Sequence, residues 1–168
     1  MKYSLDTNVF VESSKRYYSF DIAPPFWDAL ALWGRQENIF CVKPVYDEII
    51  EGNNDRLCQW ARTDAYPMFI EPDEDTYEEL TNIANHVMNN YLPHIANPFL
   101  SCADPLVIAF AKAKDLTVVT MEIMKQEVRN SNGLIGGKKI QIPNICHNLG
   151  IQCIDTFQFL RNQRFSFR

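Results

Sequence analysis

The chain has little of what announces the commonest metal and nucleophile chemistries. It carries only three histidines, His86, His94 and His147, and none stands at ligand spacing; His147 beside Cys146 reads as a helix residue. The five cysteines, Cys41, Cys58, Cys102, Cys146 and Cys153, are odd in number and include no CxxC pair. That argues against a disulfide framework and weakens a zinc site, so reduced, mostly buried thiols in a cytoplasmic protein are expected. No apolar run approaches the roughly 20 residues that cross a bilayer, so no membrane partner is expected. Asp6 and Asn8 interrupt the N-terminal apolar stretch, which is therefore not read as a secretory signal. Glycine is scarce, with six residues, and half of them fall in Gly133–Gly137. That loop is not a Walker motif: Asn132 stands where the first glycine belongs and Lys139 where serine or threonine belongs. No Gly-x-Ser-x-Gly supports a serine nucleophile.

What is present is enough for one full core. The chain has 168 residues, 46% hydrophobic and 12% aromatic, which fits a single domain and argues against disorder. The formal charge is −5, but it is unevenly spread. Residues 1–111 hold 7 Lys and Arg against 17 Asp and Glu, whereas residues 112–168 hold 9 against 4. An acidic body with a basic last third can focus a polyanion on one side, although ordinary surface variation produces the same imbalance.

Periodicity and punctuation give alternating strands and helices. Short strands are expected at Lys2–Asp6, Ile39–Val42, Leu116–Thr120 and Ile151–Ile154, with an edge strand at Lys139–Ile142. Helices are expected from Pro24 to near Gly34, from Pro44 to Gly52, over Asp55–Thr63, after the acidic run Glu71–Asp75, over Asp104–Lys114, over Pro143–Leu149 and over Thr156–Asn162. A turn or short helix follows Asn8, and another short helix precedes the Gly-rich loop. Asn89–Ser101, with Pro93 and Pro98, reads as a connecting loop. The alternation predicts an α/β fold with a mainly parallel sheet of four to five short strands between helices, and functional groups at the carboxyl ends of the strands.

Four carboxylates sit at the edges of apolar elements. Asp6 ends the first strand, Glu48 lies in "PVYDEIIEG", Asp104 opens "ADPLVIAFAKA" and Glu122 follows "LTVVTME". Each has a structural explanation of its own. Asp6 can cap the turn at Asn8 or Val9, Asp104 can be an N-cap or close a capping box with Ser101, and Glu122 can start a helix. Glu48 and Asp47 flank the apolar face of their helix symmetrically, so spacing does not choose between them. Burying an unpaired carboxylate costs several kcal/mol, and one divalent ion shared by a cluster removes that cost. Mg²⁺ or Mn²⁺, one or two ions with hard oxygen ligands, is the cofactor such a set suits.

At these residues the sequence resembles the PIN-domain family of metal-dependent ribonucleases, over roughly residues 1–160. "SLDTNVFVE" resembles the family's opening strand and Asp-Thr-Asn; "YDEIIEG" resembles its Glu, two aliphatics and Gly, and selects Glu48 over Asp47. "ADPLVIAFAKAKDLTVVTME" resembles its third Asp on an Ala-rich helix and the strand ending in Thr-x-Asp, and "KIQIPNICHNLGIQCID" resembles its closing segment. The likeness is to a larger bacterial PIN-like subfamily related to VapC-type toxins, because the stretches Tyr17–Pro25 and Glu71–Ser101 exceed a minimal domain. A haloacid-dehalogenase-type phosphatase would need a second Asp where Asn8 stands.

The resemblance implies a three-layer α/β/α PIN-like domain over residues 1–160, followed by a basic-aromatic tail over residues 161–168. It implies an RNA phosphodiester hydrolase in which Asp6, Glu48, Asp104 and Glu122 bind metal and carry catalysis. Asn8 would orient Asp6, and Thr120 would support Glu122 or the metal's waters. RNA would be the substrate, and an antitoxin protein and a second copy of the chain are the partners to consider. Glu122 departs from the family's commoner Asp. Lys138, Lys139, Arg161 and Arg164 are the candidate RNA contacts, and the arginines are interleaved with Phe165 and Phe167 in "RNQRFSFR". The alternative is a non-catalytic PIN-like module that binds RNA or protein.

Overall fold

A computed structural model describes residues 1–167; Arg168, the last residue of the expected tail, lies outside them. The five strands are β1 (Tyr3–Leu5), β2 (Ile39–Val42), β3 (Phe69–Ile70), β4 (Thr117–Thr120) and β5 (Cys153–Asp155). They form one sheet in the order β3-β2-β1-β4-β5, and every pairing is parallel. In the central register Tyr3 pairs with Ile39 on one side and with Thr117 on the other.

Side chains alternate across a strand, so β1 shows where the layers lie. Tyr3 packs edge-on against Phe159 of the last helix, α9 (Thr156–Asn162), with ring centroids 4.9 Å apart. Its neighbour Ser4 points the other way and donates to the Val107 carbonyl of α7 (Asp104–Ala113). Helices therefore cover both faces. Val107, Ile108, Ala109 and Phe110 of α7 are buried, and each large one contributes roughly 1.5–3 kcal/mol. The long α5 (Glu74–Asn90) packs outside α7. Lys114 ties the two by pairing with Asp73, the N-cap of α5, and Lys112 adds a pair with Glu79 at 2.9 Å.

The remaining helices are α1 (Thr7–Glu12), α2 (Pro24–Arg35), α3 (Lys43–Glu51), α4 (Asp55–Thr63), α6 (Pro93–Leu100) and α8 (Ile142–Asn148). A π-helical turn, Ser13–Tyr17, continues α1. Four expectations change. The expected loop at Asn89–Ser101 contains α6: Pro93 lies in its first turn, where a missing N–H costs nothing, and Ile95, Ala96 and Phe99 are buried. The strand β3 was not foreseen, because two residues are too few to show alternation. The short helix before the Gly-rich loop is absent, and residues 122–128 run without helix or strand. Lys139–Gln141 is likewise not an edge strand: Ile140 and Gln141 are buried in irregular chain leading into α8.

The basic-aromatic tail is part of the packing. Phe165 meets Trp33 and Phe26 edge-on, and Phe167 reaches Tyr18. All five cysteines are free thiols. Among the described residues no single helix is long and apolar enough to cross a membrane.

Candidate active site

In a parallel sheet, ligands gather beyond the carboxyl ends of the strands where the order reverses. Here the chain builds outward from β1 to β2 and β3, then returns to the other side of β1 with β4 and β5. The reversal lies between β1 and β4. Asp6 follows the first and Thr120 ends the second, and the Asp6 N–H donates to the Val119 carbonyl at 3.0 Å.

Asp6 is 1% exposed. Its side chain does not cap α1, although its backbone leads into that helix, so the capping explanation does not hold. Thr120 Oγ1 donates to Asp6 Oδ2 at 2.9 Å. The same hydroxyl accepts from the Glu122 N–H at 3.1 Å and from Asn8 Nδ2 at 3.2 Å. Asn8 was expected to orient Asp6 directly. Instead its Oδ1 takes the Met121 N–H, freed at the end of β4, at 2.8 Å, and Asn8 reaches Asp6 only through Thr120. Burial pushes the Asp6 carboxyl well above the usual range, Asp104 and Glu122 add to this, and the Thr120 bond opposes it.

Asp104 is the first residue of α7; the N-cap is Ala103, and no side chain caps the helix. Ser101 is not its capping-box partner, because its hydroxyl donates back to Asn97. Burial, with Glu122 and Glu48 nearby, raises the Asp104 carboxyl to about 6. The adjacent Cys102 thiol is pushed up to about 12 by burial and by Asp104, and it stays protonated.

The two glutamates are held differently. Glu48 Oε1 accepts from the Ala103 N–H at 2.9 Å, and Oε2 from the Thr7 hydroxyl at 2.5 Å. One carboxylate on α3 thus fastens the N-terminal ends of both α7 and α1, the helices beside Asp104 and Asp6. Asp47, the alternative at this position, is exposed and pairs with Lys43 at 2.7 Å. Glu122 starts no helix of its own. Its Oε2 accepts the Ile142 N–H at the head of α8 at 2.7 Å, and its Oε1 receives Lys139 Nζ. Burial pulls the Lys139 ammonium's pKa down, but the Glu122 pair outweighs this, with Asp104 and Asp6 adding their fields, and the net shift is upward.

Glu122 and Lys139 line one cleft and Asp104 and Lys139 an adjoining one, while the buried Asp6 and the part-buried Glu48 share their fields with Asp104. Thr7, the Ala103 and Ile142 N–H groups and the place of Lys139 in the cluster were not legible in sequence, because each contact joins segments 17 to 55 residues apart. Among the described residues no three His, Cys, Asp or Glu side chains are closed into a ready metal cage. The donor set still fits Mg²⁺ or Mn²⁺. Such ions are held through one or two carboxylates with several waters retained, and Asp6 and Asp104 are two desolvated carboxylates short of a cation.

From the cleft a groove of about 780 Å³ runs past Asn8, Thr120, Glu122 and Lys139 to Arg16, Tyr17 and Phe157. Tyr17 and Phe157 stand perpendicular, 5.8 Å apart, and both are exposed. Lys138 is exposed beside Asp104 and Lys139 in an adjoining pocket. Arg161, near the end of α9, and Arg164, beyond it, are exposed, and among the described residues neither makes a salt bridge. Part of the basic excess of the last third is already spent on α5, through Lys112 and Lys114.

Two solved structures share this architecture. One is VapBC2 from Rickettsia felis bound to a DNA fragment from their promoter, with TM-score 0.57 and 12% identity, covering 92% of this chain and 98% of that chain. The other is VapBC-1 from nontypeable Haemophilus influenzae, with TM-score 0.54 and 14% identity over the same shares. At these identities the likeness is one of fold, and the fold is the α/β PIN-like one expected. No curated protein matches the chain. A family model described as "Domain of unknown function (DUF4411)" matches residues 3–167, and the chain belongs to that family.

Proposed function

We propose that the chain is a metal-dependent endoribonuclease of PIN type, hydrolysing RNA phosphodiesters to leave a 5′-phosphate, and that it is the toxin of a toxin–antitoxin pair. The observation that carries the catalytic reading is Asp6: a buried carboxylate whose side chain does not cap its helix, with the charges of Asp104 and Glu122 acting against its own. The toxin reading rests on likeness to the two VapBC assemblies.

Asp6 and Asp104 would hold Mg²⁺ or Mn²⁺, with Glu48 and Glu122 adding negative charge beside them. Such an ion lowers the pKa of an attacking water and neutralises charge on the phosphate. The protein supplies the geometry. Thr120 fixes one oxygen of Asp6, and Glu48 fixes the helix end that carries Asp104. The groove beside Tyr17 and Phe157 is large enough for a nucleotide, with Lys138 available to a neighbouring phosphate.

The test is cleavage of single-stranded RNA with Mg²⁺, Mn²⁺ or EDTA, with end-group analysis of the products. Cleavage should require the metal, leave 5′-phosphates and fall at least about 100-fold in Asp104→Asn. RNA binding without cleavage at any metal concentration would favour the non-catalytic module instead.

A further inference from the structure

The fourth carboxylate is committed to the protein. Glu122 gives Oε2 to the Ile142 N–H and Oε1 to Lys139 Nζ, two donors on one short stretch of chain. That stretch leaves the Gly-rich loop and enters α8, so Lys139 is presented to Glu122 by the backbone that Glu122 itself anchors. The lysine side chain is 59% exposed and the glutamate 8%, which places the ammonium on the groove side of a buried carboxylate.

Two-metal hydrolysis needs a second ion about 3.5–4 Å from the first, with carboxylates to share between them. In this cleft the carboxylate beyond Asp6 and Asp104 on the β4 side is Glu122, and a lysine already holds it. Four carboxylates carry four negative charges, and Lys139 with one divalent ion cancels three of them. A second ion at Glu122 would have to displace the ammonium that already holds this carboxylate.

We propose that Lys139 stands in the place of a second metal ion: the site takes one divalent ion, at Asp6 and Asp104, and the Lys139 ammonium on Glu122 is the fixed second cation facing the substrate phosphate. This rests on the metal-dependent reading above, and it makes Lys139 part of the catalytic centre as well as a surface contact for RNA. A lysine is a compact charge with rotatable donors, so it can turn from Glu122 to a phosphate oxygen without leaving the site.

Mn²⁺ uptake tests it without reference to activity. The protein is titrated with Mn²⁺, and free ion is read by electron paramagnetic resonance for the wild type, Lys139→Met and the double variant Lys139→Met/Glu122→Gln. The expected results are one ion per chain for the wild type, two for Lys139→Met and one again for the double variant. Two ions in the wild type, or one in Lys139→Met, would overturn the proposal while leaving a metal-dependent enzyme standing. No uptake by any of the three would overturn the metal-dependent reading, and the proposal with it. Lys139 is exposed, so its replacement does not threaten the fold; circular dichroism of each variant checks this.

Discussion

Ionising Asp6 and Asp104 carries a cost from burial and from neighbouring carboxylates. Asp104 titrates near 6 in the folded chain and near 3.8 when unfolded. Between those values the folded state binds more protons than the unfolded one, so stability falls as pH rises through the window. The penalty is fully present above about 6, and Asp6 adds to it with the same sign. Asp73, held low by Lys114, has the opposite sign but acts only below the ordinary carboxylate range. His86, held low by burial, opposes this within the window, so the carboxylate effect is read as the Tm of metal-free wild type relative to Asp104→Asn, which should shift in favour of the wild type between pH 7.5 and pH 5.5. Asp104→Asn should melt at or above the wild type at pH 7.5. Thermal melts in chelator check both. A clear drop in the Tm of Asp104→Asn would mean that the carboxylate is structural.

The helices show what local sequence can and cannot specify. The extent of α4 agrees with its sequence reading, and the structure supplies the cap: Asn54 accepts from the Leu57 N–H at 3.1 Å. Helix α6 was hidden because its prolines read as breakers, whereas the burial of Ile95 and Phe99 decides the matter. Helix α2 contains a contact that sequence does not reveal. A Cβ on Gly34 would lie 3.0 Å from Met68 Cβ and Cε, in the 3₁₀ turn Tyr66–Met68 that leads to β3. Alanine there gains up to about 1 kcal/mol in helix propensity, but overpacking costs about 1–3 kcal/mol. Gly34→Ala should lower the denaturation midpoint. A raised midpoint would show that Met68 gives way freely.

The molecule as a whole is a sheet with its reversal point at one cleft, and that explains which parts of the site were readable. A carboxylate at the end of a buried strand, as at Asp6, is visible locally. So is an acid at the head of an apolar helix, as at Asp104. The strand alternation was likewise enough to reach an α/β fold with a parallel sheet. The division of labour was not readable. That Glu48 ties α1 to α7, that Asn8 acts through Thr120, and that Lys139 closes on Glu122 depend on topology bringing distant segments to the same strand ends.

The central claim is that Asp6 and Asp104 hold a divalent ion at this cleft. The direct measurement is anomalous diffraction from a crystal of the protein grown with Mn²⁺. The account predicts one anomalous peak within coordination distance, about 2.0–2.4 Å, of oxygens from both Asp6 and Asp104. A crystal with Mn²⁺ bound elsewhere on the protein and no peak between these two side chains would contradict it.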